Sequence, residues 1–502
     1  MTAVKRSLIF LFLRLAKGFR SVLSGSEDAY RLIFSPGFES ARWQIGKWKA
    51  WQVFERARNL TPAYKEFLNQ HGSISVPTNG WDPDLTTIPV MDKESYVKKF
   101  SIESRCVGGV LPRCGAVIDE SSGTSGTPNN WVRGPNERAA IKYVLETSVR
   151  SLIGKDPIFL INAFALGPWA TGMNVSMSLV DIAILKSTGP DAKKIENTLK
   201  FFGPKYQYII AGYPPFLKGL ADSKEVDWKL YNIIAFFGGE GISEGMRSYM
   251  GKAFKRIYGS YGASDLEINI AAENDFTIAL RRKLISNENL RERLVKHDTL
   301  PMIFQYNPLD YYIETNNQGE LIVTLCRLAN VAPKVRYGIH DIGHVLRFPE
   351  LERVLQDLGL KVSDIGKPQS DLPLLFHYGR ADMSVAFYGC KITPGDFEEI
   401  IFKNPELAQQ INSFSLITSE DERVNKKLTL ALEMAEGEKA LENLEELRNE
   451  IFEELKTVNQ DYRESSKMIP AGFEPQLEVH SFGAGPFAAN DLRLKKHYIQ
   501  KR

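Results

Sequence analysis

Apolar positions along the chain follow two kinds of pattern, helical and strand-like, and their order predicts an α/β fold of two unequal parts. Leu8, Phe12, Leu15, Phe19 and Leu23 recur at three- and four-residue steps. They predict an amphipathic helix made basic by Lys5, Arg6, Arg14, Lys17 and Arg20. Trp48, Trp51, Phe54 and Ala57 predict a helix over 42–70, interrupted at Leu60, Thr61 and Pro62. Asn79, Gly80, Asp82, Pro83 and Asp84 mark 81–89 as loop. Beyond it, 157–164, 206–211, 231–237 and 321–325 read as strands that alternate with helical stretches such as 137–150. That is the pattern of a large sheet covered by helices.

Near Asp382 the character changes. A short strand over 384–388 ends at Gly389, and Pro394 then opens a helix with Asp396, Glu398 and Glu399 near its amino end. A strand at 428–434 follows, then a charged helix over 441–458 with Leu444, Leu447, Ile451 and Leu455 on one face. A last strand at 476–480 precedes Gly483 and Gly485, and the charge run from Arg493 to Arg502 reads as a solvated basic tail. The expected division is a basic amphipathic extension at 1–40, a large α/β domain at 41–379 and a small α+β domain at 380–502.

Composition narrows the function classes. The 502 residues carry 63 Lys and Arg against 61 Asp and Glu, a balance that argues against a general electrostatic grip on nucleic acid. Cys106, Cys114, Cys326 and Cys390 show no CxxC spacing and no accompanying histidine cluster. They fit neither a disulfide framework nor a structural zinc site, and suit a reducing cytoplasm. The apolar run from Leu8 to Leu13 is broken by Arg14 after six residues, which is too short for a membrane span or a secretory signal. The basic helix therefore either packs on the protein body or a partner, or makes peripheral contact with an anionic membrane surface.

Several segments carry candidate chemistry. Ser121, Ser122, Gly123, Thr124, Ser125, Gly126, Thr127 and Pro128 combine two glycines with five hydroxyls, a composition that can cradle phosphates. There is no GK[ST] ending, so this is not a Walker loop, and a flexible surface loop is the alternative. Phe236 and Phe237 lead into Gly238, Gly239 and Glu240, a strand end where a planar ring can approach the backbone. Tyr258 to Asp265 adds aromatic faces at Tyr261, small residues at Gly262 and Ser264, and an acid at Asp265 able to hold Mg²⁺. Asp341, after Arg336, Tyr337, Gly338, Ile339 and His340, reads as a loop acid able to accept hydrogen bonds from ribose hydroxyls. His340 and His344 lack a convincing metal-ligand set and read as solvated or core histidines. Lys495 and Lys496 can neutralise charge that develops during group transfer.

Taken in order, SSGTSGTP, FFGGE, YGASD, RYGIHD and GRADM followed by GCKITPGDFEE resemble the adenylate-forming superfamily, and within it the phenylacetate–CoA ligase group. Pro62 to Lys65 and Ile88 to Tyr96 are similar to that group's amino-terminal helices. The resemblance implies a large multi-sheet domain with a small mobile carboxyl-terminal domain, and formation of an acyl-adenylate from ATP, Mg²⁺ and a carboxylic acid. It implies a phosphate loop at Ser121 to Thr127, adenine contacts at Gly238, Gly239 and Glu240, and ring stacking at Tyr261. It further implies nucleotide contacts at Gly262 and Ser264, Mg²⁺ at Asp265, ribose at Asp341, a hinge at Arg380 to Asp382, and a catalytic lysine at Lys495 or Lys496. Three positions depart from the family pattern: Thr127 replaces a lysine, Asp265 replaces a glutamate, and the hinge keeps one acid, Asp382.

The implied acceptor is a thiol, coenzyme A first and a carrier-protein thiol second. The stretch from Asn459 to Arg463, with Leu477 to Val479 and Gly485 to Phe487, is similar instead to acyl-acid amido synthetases, which implies an amine acceptor. A nucleotide-binding relative without turnover is a third expectation, permitted by Thr127. Ala163 to Trp169 with Gly172 can line an apolar pocket for an aryl or fatty acid, or form an ordinary core strand and turn.

Overall fold

The computed structural model describes residues 2–23, 36–120, 129–154, 156–167, 169–297, 299–380, 385–387, 390–420, 426–438, 441, 443–459, 462, 463, 466, 469, 474–488 and 499–501. Two helices open it, α1 (Thr2–Leu23) and α2 (Glu39–Leu60), and α3 (Pro62–Asn69) restarts the helix beyond Thr61. The break at Pro62 is the expected one, because proline lacks the N–H an interior helical position must donate. The apolar stripe that predicts α1 is not the face the helix buries. Ile9 and Leu13 are buried, whereas Leu8, Phe12 and Leu15 face outward. Phe10 packs edge-on against Trp51 of α2, a tertiary contact invisible to periodicity.

The large part is a mixed sheet flanked by helices. A ribbon of β1 (Val117–Glu120) and β2 (Asn130–Arg133) precedes α4 (Pro135–Ile153). Then come β3 (Ile158–Asn162), α5 (Ala170–Leu179), β4 (Ala183–Ser187), α6 (Ala192–Phe202), β5 (Gln207–Gly212), α7 (Pro214–Asp222), β6 (Asn232–Gly238), α8 (Glu244–Met250) and β7 (Arg256–Tyr261). The rest of the sheet is β8 (Ala271–Ala272), β9 (Met302–Gln305), β10 (Tyr311–Thr315), β11 (Glu320–Leu325), β12 (Tyr337–Leu346) and β13 (Leu374–Arg380). The eleven strands lie in the order β10-β11-β12-β13-β9-β8-β7-β6-β5-β3-β4. Strands β3 to β7 run parallel, and the remainder antiparallel. Short βα connections between near-continuous apolar strands dictate the parallel half, since each crossover must carry a helix over one face.

Alternation along each parallel strand sorts the two layers. Ile158, Leu160 and Ile209 pack under α4 and α5 with Ile141, Leu145 and Val175. Their neighbours Phe159, Ile161, Tyr208 and Ile210 meet Ile195 and Leu199 of α6 and Leu217 of α7 on the other face. Where β3 is followed on one side by β4 and on the other by β5, the winding reverses and leaves a crevice at the strand ends.

The small domain has its own core around Phe397, Leu416, Leu430, Ile451 and Leu455. Among the described residues it holds a hairpin of Val385–Phe387 and Cys390–Ile392 and a four-stranded sheet of β14 (Ile411–Glu420), β15 (Lys426–Met434), β16 (Gln476–His480) and β17 (Ile499–Lys501), in the order β16-β15-β14-β17. Its helices include α9 (Pro394–Lys403) and α10 (Leu444–Val458). The solvated tail expected over 493–502 is corrected at Ile499–Lys501, which pair in parallel with Leu416 to Thr418. Ladder hydrogen bonds from a strand ten residues long supply what the local charge pattern hides. Among the described residues, no helix is long and apolar enough to cross a membrane.

Candidate active site

The carboxyl ends of β3, β5, β6 and β7 converge. At Gly238 an added Cβ would sit 3.3 Å from the Ser260 carbonyl and 3.9 Å from the Phe164 ring, so only glycine keeps this strand end open. Gly239 has φ +89° and is exposed, and Glu240 follows it close to Tyr213 and Glu398. At Gly262 a Cβ would lie 2.7 Å from the Asn269 amide nitrogen and the Glu267 carbonyl, which lets the loop after β7 fold back tightly. Behind β7, Glu273 accepts from Gly259 N at 2.6 Å and from Arg247 Nη2 at 2.6 Å, a fully buried pair that fixes the strand.

The two candidate acids are held by a crossed pair of hydrogen bonds. Tyr261 and Asp265 stand four residues apart, as do Tyr337 and Asp341, each pair in a Tyr-Gly-x-x-Asp run. Tyr261 Oη donates to Asp341 Oδ2 at 2.8 Å, and Tyr337 Oη donates to Asp265 Oδ2 at 2.8 Å. Burial first, and the facing carboxylate second, push both phenols well above their ordinary range. Both tyrosines are therefore permanent donors, and each fixes the acid of the other run. The Tyr261 ring, expected to offer a stacking face, is 6 % exposed and packs against His377 at 4.7 Å and Phe304 at 5.9 Å. Its hydroxyl is what it delivers to the site in this arrangement.

Asp341 is not in a loop, as the sequence suggested, but in β12. A register shift between Ile342 and Gly343, with His340 at φ +62°, bulges the strand and turns Asp341 inward. Arg380 of β13 stands opposite it in the ladder, and His377 Nε2 lies 3.5 Å from its carboxylate. Of the two histidines, His340 is exposed and hydrogen-bonded to Glu320, while His344 is stacked on Phe376 and pushed down to about 3 by burial. Asp265 also meets Lys93 Nζ at 3.6 Å. The carbonyl of Ser264 accepts from Arg133 Nη2 at 2.5 Å, tying this run to β2.

Glu120 and Asn130 pair across β1 and β2, and Glu120 also bridges to Trp169 in the turn after β3. Asp119 anchors that ribbon through Arg133 and Asn174, at 3.2 Å each. Ser121 to Pro128 themselves, with Asp382, Lys495 and Lys496, lie outside the described residues. Next to β2, Lys334 is buried with its ammonium 4.3 Å from the Trp131 ring centroid and 5.1 Å from that of Tyr337. Burial, then Arg105 and Arg133, hold its pKa well below the usual lysine range. Lys334 and His377 lie in none of the motifs read from the sequence, and Lys93 lies in the stretch from Ile88 to Tyr96, to which the sequence assigned no site role. Only their approach to the two acids in space marks them.

The apolar turn after β3 is core on one side. Ala163, Phe164 and Ala165 are buried, and a Cβ at Gly172 would strike the Ala165 carbonyl at 2.1 Å, so Gly172 serves close packing. Phe164 meets Tyr213 edge-on at 5.0 Å. In the small domain, Asn459 donates to Asp396 at 3.0 Å and accepts from Tyr462 N at 2.8 Å, pinning the start of α9. Cys106 and Cys326 are buried thiols pushed up to about 11 and about 12 by that burial, chemically quiet at neutral pH.

The small domain meets the crevice through α9 and α8, the helix that follows Gly238 to Glu240. Tyr249 packs on Phe402 at 5.5 Å, Gly245 N lies 3.4 Å from Glu399 Oε2, and buried Lys218 donates to the Ile411 carbonyl at 2.8 Å. Burial, with Glu240 beside it, pushes the Glu398 carboxyl up to about 8.

No family model matches the chain, and no curated protein sequence matches it. Solved structures of a 2-hydroxyisobutyryl-CoA ligase do match. Its postadenylation form with R3-HIB-AMP is 13% identical at a TM-score of 0.66, covering 93% of this chain and 91% of that one. The same form with 2-HIB-AMP is 14% identical at 0.66, covering 93% and 90%. Its thioesterification form, with 2-HIB-AMP and CoA, is 14% identical at 0.51, covering 93% and 91%. The chain thus shares the fold of that CoA ligase, a large α/β domain with a small α+β domain at its carboxyl end. More particularly, its overall arrangement is closer to that ligase's postadenylation form than to its thioesterification form.

Two outcomes follow from this geometry. A double-mutant cycle of Tyr337→Phe with Asp265→Asn, read by urea unfolding, is expected to give a coupling of about 1–3 kcal/mol; additive single effects would deny the bond any energetic role. Because the Glu398 carboxyl titrates near 8 in the fold, against an ordinary value of about 4.5, its stabilising protonated state is lost as pH rises across that window. Glu398→Gln is expected to flatten the fall in melting temperature between pH 5 and pH 9, and an unchanged pH slope would refute the assignment.

Proposed function

We propose that this protein activates a carboxylic acid with Mg·ATP as an acyl-adenylate and then transfers the acyl group to a thiol, coenzyme A being the leading acceptor. The single observation that carries the reading is the crossed Tyr261–Asp341 and Tyr337–Asp265 pair, in which the acid after β7 and the acid of β12 are each held by the tyrosine of the other run. Asp341 is suited to accept from ribose hydroxyls, with Arg380 opposite it in the ladder. Asp265 offers a single carboxylate, and among the described residues no group of three His, Cys, Asp or Glu forms a resident metal site. That donor set suits a Mg²⁺ that arrives on the nucleotide and takes its other ligands from phosphate and water.

In the first half-reaction a carboxylate oxygen of the acid attacks the α-phosphorus, the bond to the bridging oxygen breaks, and pyrophosphate leaves. The nucleophile is already an anion, so the protein's task is positioning and charge stabilisation. Thr127 brings no cation to the phosphate loop; Lys93, 3.6 Å from the Asp265 carboxylate, is a cation available beside that acid. Lys495 and Lys496 remain the proposed carboxyl-terminal pair, and Ser121 to Thr127 the proposed phosphate loop. In the second half-reaction a thiolate attacks the anhydride carbonyl and AMP departs. The matched ligase is held with an acyl-AMP and, in its thioesterification form, with CoA, which supports a thiol acceptor. The likeness of 459–463 to amido synthetases favours an amine as the second reading, although Asn459 has a structural task in holding Asp396 at the start of α9. Phe164 and Tyr213 beside Gly238 favour an aryl or fatty acid.

Carboxylate-dependent exchange of pyrophosphate into ATP, run across aryl, fatty and amino acids, is expected to respond to the first two classes. Silence across the whole panel would sink the ligase reading, and product mass with coenzyme A or with amines decides the acceptor. Asp341→Ala is expected to weaken ATP binding by about 10–100-fold, the loss of hydrogen bonds to a charged acceptor. Unaltered affinity by calorimetry would remove Asp341 from the ribose site.

A further inference from the structure

Helix α1 has two apolar faces, and the fold uses only one. Ile9 and Leu13, 2 % and 6 % exposed, lie on the body, and Arg6 reaches Glu55 of α2 at 3.3 Å. On the far side Val4, Leu8, Leu11 and Leu15 are 65, 50, 53 and 68 % exposed. Steps of four, three and four residues set these four on one line along the helix. Phe12 and Trp81, both about half exposed, widen the line at one edge. Phe12 meets Trp48 edge-on at 6.0 Å, and the Trp48 indole donates to the Trp81 carbonyl at 2.7 Å. The Lys5 ammonium sits 6.0 Å from the Trp81 ring.

Charge complements the line. The first 25 residues contain Lys5, Arg6, Arg14, Lys17 and Arg20 and no Asp or Glu. At 100° per residue, Lys5 lies about 90° round the helix from the apolar line on one side and exposed Arg14 about 90° on the other. A straight apolar ridge with a tryptophan at its edge and cations on both flanks matches the polarity profile of a lipid headgroup boundary. Aliphatic side chains enter the acyl region, indole takes the interface, and lysine and arginine meet anionic headgroups. A helix already fixed to the body by its inner face presents this ridge without the entropy cost of folding at the surface.

We propose that the outer face of α1 docks this protein in the plane of an anionic lipid surface while its inner face stays on α2. The inference is independent of the ligase reading and stands or falls without it.

The test is cosedimentation of the full chain with phosphatidylcholine vesicles, with and without about a third phosphatidylserine. Binding to the anionic vesicles is expected, weakening as salt rises. A Leu8→Ser, Leu11→Ser, Leu15→Ser variant is expected to bind at least about tenfold more weakly while its thermal melt stays two-state and close to the parent's. Arg14→Gln, an exposed position that cannot disturb the core, is expected to lower anionic binding alone, so a misfolded triple variant would not leave the question open. Equal pelleting of parent and Arg14→Gln, or no pelleting with either vesicle, would overturn the proposal. So would a parent dimer in sedimentation velocity that the triple substitution dissolves, because the ridge would then be covered by a second copy.

Discussion

Two hydrogen bonds of 2.8 Å, from Tyr261 to Asp341 and from Tyr337 to Asp265, organise everything else at the candidate site. Each joins two chain segments more than seventy residues apart, and each crosses to the other Tyr-Gly-x-x-Asp run. A carboxylate buried near a sheet edge has to be hydrogen-bonded or paired, and a buried phenol has to donate. Crossing satisfies all four groups at once. It also couples the loop after β7 to the bulged strand β12, so neither acid can turn without disturbing the other's partner. The glycine after each tyrosine leaves the room: at Gly262 the returning loop, and at Gly338 the side chains of Val90 and Ile322, fill the space a Cβ would need.

Around this lock the large domain is stiffened by buried ion pairs. Arg247, Glu244, Glu273 and Arg281 form one network behind β7, and Arg327 with Glu267 and Tyr311 forms another behind the Gly262 turn. Such networks contribute little net stability relative to apolar packing, but an unpaired member is costly, so they specify one arrangement strongly. The junction with the small domain is built differently. Among the described residues it includes an aromatic pair, a hydrogen bond to Gly245, a buried lysine on a carbonyl, and the Glu398 carboxyl, raised by burial first and by Glu240 second.

Much of the fold was legible in the chain. The strands over 157–164, 206–211 and 231–237 and the helix from Pro394 carry continuous apolar runs or unambiguous end signals, and they occur within a residue or two of expectation. The ten-residue strand at Ile411–Glu420 and the closing strand at Ile499–Lys501 did not announce themselves. The first mixes Ser413, Ser415 and Thr418 with its apolar residues, and the second holds a single apolar side chain; both exist because a neighbouring strand completes their hydrogen bonds. For α1, period alone returned a helix but not its inner face, since two apolar lines a residue apart have nearly the same periodicity.

What the sequence determined by itself was therefore the order of the parts: a large helix-covered sheet, a small α+β domain after it, and five motifs whose succession resembles that of the adenylate-forming superfamily. Local covalent properties suffice for that, namely glycine where backbones must approach, proline where helices start, and apolar period where strands lie. Only the tertiary structure decided which tyrosine serves which aspartate, that Lys93, Lys334 and His377 stand beside the motif acids, and that α1 keeps a ridge of leucines in water. Those are relations between residues far apart in the chain, fixed by packing and by the need to satisfy buried charge, and no local pattern encodes them.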